Sequence, residues 1–127
     1  MSHFSTIKTE ILDFDILKRT ISDLGFSMKE NDWHIGHDGK MEDIDLSVRI
    51  APQLDLLFKK GVPGKGYVIT AVEKTPEREK TRRIIRMIQQ EYAYRKVLHE
   101  TRKRGFSLVQ EERVKAGVIK LILKKVA

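Results

Sequence analysis

Three groupings along the chain have residue types and spacings that could do chemistry. His34-x-x-His37-Asp38 can place two imidazoles and a carboxylate on one metal ion. A zinc site of this kind needs a second anchoring pair, and no such pair follows elsewhere, so we expect no bound metal. Gly61-Val62-Pro63-Gly64-Lys65-Gly66, preceded by Lys59-Lys60, has the look of a phosphate cradle. It misses the P-loop pattern, which has four residues between the glycines and then Lys followed by Ser or Thr. A KH-type Gly-x-x-Gly loop lies between helices, whereas strands are expected on both sides here. An ordinary hairpin turn is the plainer reading, with phosphate contact through Lys60 and Lys65 as the alternative. The third grouping is a set of arginines at four-residue spacing, Arg78, Arg82 and Arg86.

That third set belongs to an uneven charge distribution. The 127 residues carry a formal charge of +7. Positions 77–104 hold ten bases and four acids, a net of +6, which leaves +1 for the other 99 residues. On a helical wheel Ile84, Met87, Ile88, Tyr94 and Leu98 share one side. Arg78, Arg82 and Arg86 lie opposite, with Lys96 and Lys103 nearby. Like charges at i, i+4 destabilise a helix by a few tenths of a kcal/mol per pair, so the run calls for neighbouring acids or an anionic partner. Three readings stand: a solvated face, contact with an acidic protein surface, or contact with nucleic acid. The face has no interleaved aromatics for base stacking, and Tyr94 is expected in the core.

Catalytic arrangements are missing. Ser5, Ser22, Ser27, Ser47 and Ser107 have no Gly-x-Ser-x-Gly context. Glu111-Glu112 beside Arg113 reads as a surface cluster. There is no cysteine, which excludes thiol catalysis and Cys-ligated zinc. We expect a non-enzymatic protein without a cofactor.

The elements that must position these groups follow from periodicity. Phe4–Ile11 reads as a strand. Asp13 caps a helix over about 14–24, with Ile16, Leu17, Ile21 and Leu24 at helical spacing and Gly25 as its stop. Phe26–Trp33 is ambiguous, with a short strand as one reading, and His34–Asp43 reads as a loop. Ile44–Ile50 alternates strictly, as a strand with one buried face does. Leu54–Lys59 and Tyr67–Val72 form a hairpin. Thr75-Pro76-Glu77 marks a helix start and Lys103-Arg104-Gly105 its stop, with a break near Glu91–Tyr94 left open. Ser107–Val114 and Val118–Val126 close the chain as a hairpin around Lys115-Ala116-Gly117, and an exposed Ile119, Leu121 or Leu123 would let two chains pair edge to edge. The order β-α-β-β-β-β-α-β-β, with strands joined by hairpins, predicts an α+β fold. We expect one two-layer domain, a mainly antiparallel sheet with two helices on one face. The length suits one domain with a real core. No apolar run approaches a membrane span, and the start shows no secretory pattern, so a cytoplasmic protein is expected.

Met1-Ser2-His3-Phe4-Ser5-Thr6-Ile7-Lys8-Thr9, Leu24-Gly25-Phe26, Gly66-Tyr67, Tyr92-Ala93-Tyr94-Arg95-Lys96-Val97 and Gly105-Phe106-Ser107 occur in that order. Together they resemble a small family of cyanobacteria, algal plastid genomes and other bacteria, known as a conserved reading frame of undefined function. The match covers nearly the whole chain. The chain departs from it in having no tryptophan after Tyr67–Val72, where family members often carry them, and in a more basic second helix. The resemblance implies no catalytic residues to carry over. Members tend to be encoded near AAA-type ATPases, which implies an accessory or adaptor role, and a plastid stroma location in an alga. The first expectation is therefore an adaptor that binds an acidic protein partner, such as an ATPase, through Arg78, Arg82, Arg86, Lys96 and Lys103. The alternative is a nucleic-acid binder that adds Lys60 and Lys65.

Overall fold

A computed structural model describes residues 3–36, 38–115 and 118–125. Its elements run β1 (His3–Lys8), α1 (Phe14–Asp23), β2 (Ser27–Ile35), β3 (Met41–Ala51), β4 (Leu54–Lys59), β5 (Val68–Glu73), α2 (Arg78–Lys103), β6 (Phe106–Lys115) and β7 (Val118–Lys125). This is the predicted α+β order. Five strands make an antiparallel sheet in the order β1-β5-β4-β3-β2, and β6 and β7 pair as a separate two-stranded sheet.

Alternation builds the core. Leu46 and Val48 of β3, Leu54, Leu56 and Phe58 of β4, and Ile69 and Ala71 of β5 turn one face of the sheet toward the helices. α1 meets that face with Ile16, Leu17 and Ile21, and α2 meets it with Ile85, Ile88 and Tyr92. Burying side chains of this size contributes about 1.5–3 kcal/mol each, so both helices are held mainly by this seam. α1 begins as expected, with Asp13 Oδ1 accepting from the Ile16 N–H at 3.1 Å. It ends at Asp23 with Leu24 as its C-cap, and the chain leaves through Gly25, whose φ of +84° only glycine adopts freely. There the Phe26 N–H reaches back to the Ile21 carbonyl at 3.3 Å.

Four expectations need correction. β1 ends at Lys8, and Thr9–Ile11 turns away while still bonded to Tyr67, whose N–H donates to the Ile11 carbonyl at 2.8 Å. The stretch read as a loop from His34 is mostly hairpin, because β2 reaches Ile35 and β3 starts at Met41. Its alternating polar residues conceal a pairing that runs from Ser27↔Arg49 to Ile35↔Met41. α2 begins at Arg78, with Thr75 and Pro76 outside it. The cap comes from the buried Glu73, whose Oε2 accepts from the Glu77 N–H at 2.8 Å and the Thr81 hydroxyl at 3.1 Å. The inward face of α2 is also rotated from the wheel. Thr81, Ile85, Ile88 and Tyr92 are buried, Ile84 and Leu98 are half-buried, and Met87 is exposed.

Tyr92, not Tyr94, is therefore the core tyrosine. Its hydroxyl accepts from the backbone N–H groups of Leu12 (3.2 Å) and Asp13 (3.0 Å), tying α2 to the start of α1. Tyr94 faces β6, where its hydroxyl donates to Glu111 Oε2 at 3.1 Å and Arg113 lies over its ring at 5.9 Å. α2 runs unbroken for 26 residues, roughly 39 Å at 1.5 Å per residue. Of the closing turn, Ala116 and Gly117 lie outside the described residues, as does Val126. Ile119, Leu121 and Leu123 are half-buried rather than exposed.

Candidate functional site

The charges on α2 divide into two groups. Toward its C-terminal half, Arg95 is bound by Glu91 (3.0 Å) and Asp23 (3.2 Å), and Lys96 by Glu100 (3.1 Å) and Asp13 (3.8 Å). The hydrogen bond from Lys96 to Glu100 raises the Lys96 pKa, against a smaller opposing effect of desolvation. Glu91 also accepts from Arg113 at 2.8 Å, so one carboxylate joins α2 to β6. Burial would raise the Glu91 pKa, but the hydrogen bonds from Arg113 and Arg95 outweigh it and hold the carboxyl below its ordinary value.

At the N-terminal half, Lys80 approaches Glu77 at 3.9 Å. Arg78, Arg82, Arg83 and Arg86 are exposed and make no ion pair among the described residues. Arg102, Lys103 and Arg104 are likewise exposed and without an ion pair there. Of the five predicted helix residues, Arg78, Arg82, Arg86 and Lys103 are thus available, while Lys96 is partly committed to holding α1 and α2 together.

Tertiary structure connects two sets that are far apart in sequence. A groove of about 610 Å³ runs between α2 and the end of β1, lined by Arg86, Gln89, Gln90 and Lys96 on one side and Lys8–Ile11 on the other. A second groove of about 1040 Å³ shares Lys8, Thr9 and Glu10 with the first and continues over the β4–β5 turn, past Lys60 and Lys65. Lys8 joins the two. Five cations (Lys8, Lys60, Lys65, Arg86 and Lys96) line this track against one carboxylate, Glu10. The turn itself is the predicted hairpin, with β4 and β5 antiparallel. Gly66 lets it pack against the segment that follows β1, since a Cβ there would collide with the Thr9 carbonyl.

The track is not purely polar. Leu12 (60% exposed) and Val62 (66%) flank the turn groove, and Val97 (44%) flanks the helix groove. Neither these residues nor Lys8 was foreseen. The pairing of Lys8 with Val68 brings Lys8 beside the turn, and this is a contact between residues sixty apart with no local signature.

His34 lies on β2, Asp38 Oδ1 accepts from the Lys40 N–H at 3.0 Å, and His37 lies outside the described residues. Among the described residues no three His, Asp or Glu side chains are grouped to hold a metal. No described helix is long and apolar enough to cross a membrane.

Comparison with known proteins gives a family without an assigned activity. The chain is 27% identical over 126 residues to "Uncharacterized protein ycf35" of Pyropia yezoensis, covering 98% of each chain. The proteins of the same name from Cyanophora paradoxa (25% over 127 residues) and Guillardia theta (29% over 132 residues) are also covered to 98%, as is this chain in each case. No solved structure matches. The model of the family described as "Protein of unknown function (DUF1257)" matches residues 20–122, most of both layers and the closing hairpin, and the chain belongs to that family.

Proposed function

We propose that the protein is a non-enzymatic accessory protein that binds an acidic protein partner along the track from Arg86 to Lys65, with Arg78 and Arg82 on the preceding turns of α2. The observation that carries this reading is the mixture of cations, of which Lys8, Lys60, Lys65 and Arg86 make no ion pair among the described residues, with exposed apolar side chains on two adjoining grooves. Arg86 lines the groove that leads to Lys8, Lys60 and Lys65, Arg82 is exposed one helical turn before it, and Leu12, Val62 and Val97 are interspersed. Protein interfaces combine an apolar centre with a charged rim and favour arginine, and a basic rim steers an acidic partner. An AAA-type ATPase is the partner class that the family resemblance suggests.

Nucleic acid remains the second reading, because Lys60 and Lys65 join the helix arginines on one surface. The apolar side chains along the track weigh against it, as does the burial of Tyr92, the aromatic residue lining the two grooves, whose ring is closed to a base.

The test is capture of partners from native lysate by tagged protein, with nuclease treatment, followed by the same capture with Arg82→Glu/Arg86→Glu. A protein retained after nuclease and weakened at least about tenfold by the double variant, from loss of two charge contacts, supports the reading. Retention that the double variant leaves unchanged overturns it. Recovery of nucleic acid with a steep loss on raising salt would transfer the surface to the second reading.

A further inference from the structure

The other face of the sheet carries a second site, which meets the turn groove at Lys60 and Val68 but includes no residue of α2. β1 and β2 are the two outer strands of a five-stranded sheet, yet the rings of Phe4 on β1 and His34 on β2 lie 5.5 Å apart. The sheet therefore curls until its edges meet at one end, and no helix is needed to cover that end. Two residues record the enclosure. Ile44 and Leu57 are buried, although neither belongs to the core between sheet and helices. They line a cleft of about 600 Å³ on this face, together with Phe4 and Val68. That volume is within the range of sites that enclose a small organic molecule.

The polar groups of the cleft converge from several strands, with His3 of β1 among the lining residues. His34 Nε2 is a buried atom with no hydrogen-bond partner among the described residues. Such an atom is costly to leave unsatisfied, and a ligand acceptor would satisfy it. Thr6 and Thr70, paired across β1 and β5, bring two hydroxyls to the same wall. Lys59 and Lys60 stand at the mouth, exposed and without an ion pair among the described residues, against one lining carboxylate, Glu42. An apolar floor, a buried imidazole nitrogen and a cationic mouth suit one kind of ligand.

The geometry points to a binding site for a small organic anion whose apolar body lies on Leu57 and Ile44 and whose oxyanion accepts from His34 Nε2–H. Lys59 supplies the countercharge at the mouth. The site is open to solvent on one side, as entry and release require.

The experiment titrates the full chain with 8-anilinonaphthalene-1-sulfonate, an anion on an aromatic body, and with the uncharged 1-anilinonaphthalene. Binding is followed by fluorescence and by the imidazole nitrogen signals of His34 in NMR spectra. The expected result is one site for the sulfonate, a shift of the His34 Nε2 signal, and affinity at least tenfold weaker for the uncharged molecule. Lys59→Glu should lower the sulfonate affinity about tenfold, and His34→Leu should lower it while leaving the fold intact. Arg82→Glu/Arg86→Glu, on the opposite side, should leave it unchanged, which separates this site from the helix track. A His34 signal that does not move, a Lys59→Glu affinity equal to that of the parent, or binding abolished by the helix variant would each overturn the assignment.

Discussion

Substituting Tyr92 by Phe tests the packing of α2 more sharply than any truncation, because it removes one oxygen and leaves the ring. That oxygen accepts from two backbone N–H groups, Leu12 at 3.2 Å and Asp13 at 3.0 Å. Asp13 is also the cap of α1, so the hydroxyl stands at the junction of both helices. Each N–H left without an acceptor costs about 1 kcal/mol or somewhat more when partly buried, giving a loss of about 2 kcal/mol. For a domain of this size each kcal/mol is worth about 3–4 °C in melting temperature, so a fall of about 6–8 °C is expected. Tyr94→Phe is the internal control. It removes one exposed hydrogen bond to Glu111 and keeps the ring beneath Arg113, which amounts to less than about 0.5 kcal/mol. Thermal and urea unfolding of the two variants, followed by circular dichroism, measures the difference. Equal destabilisation, or a larger effect at Tyr94, would mean that α2 presents a different face to the sheet and that the reasoning is wrong.

The cap on α2 predicts that Glu73→Ala lowers stability by about 1–2 kcal/mol, by stranding the Glu77 N–H and the Thr81 hydroxyl. The urea midpoint reads this, and an unchanged midpoint would show that Glu73 does not cap the helix. Glu91 predicts an acid-labile joint between α2 and β6. Its carboxyl is held below the ordinary value of 4.5 in the fold, so the unfolded chain takes up the proton first as pH falls. The stabilisation is complete above pH 4.5 and is lost as pH drops through the depressed folded value. Urea midpoints measured down through this range should fall less steeply in Glu91→Gln than in the parent chain, and parallel curves would contradict the pairing with Arg113 and Arg95.

Strong local patterns were legible because they need no distant partner. The alternation of Ile44 to Ile50 marks a half-buried strand wherever it is placed, and residues 44–50 do form part of β3. The Asp13 cap and the Gly25 stop bracket α1 within a residue or two of its observed ends. The β4–β5 turn was readable from its glycines and proline, and the charge of α2 from counting. The β2–β3 hairpin was harder, because Glu30, Asn31, Asp32 and Asp43 on an outer pair of strands have the composition of a loop. Only the pairing of Trp33 with Asp43 and of His34 with Glu42 makes them strand.

The candidate sites show the same division. Residue order alone established the α+β sequence of elements, the family, and the concentration of positive charge on the second helix, since each is a property of neighbours along the chain. Three things depended on residues brought together from afar. Tyr92 rather than Tyr94 turned inward because the seam with α1 and the sheet selected the helix face, and a helix with charge on most sides has too weak an apolar stripe to select it unaided. The lysines of the β4–β5 turn joined the helix arginines because β1 pairs with β5 and sets Lys8 between them. The cleft beside His34 exists because the sheet twists far enough for its two edges to meet, and that curvature is summed over five strands rather than encoded in any one of them.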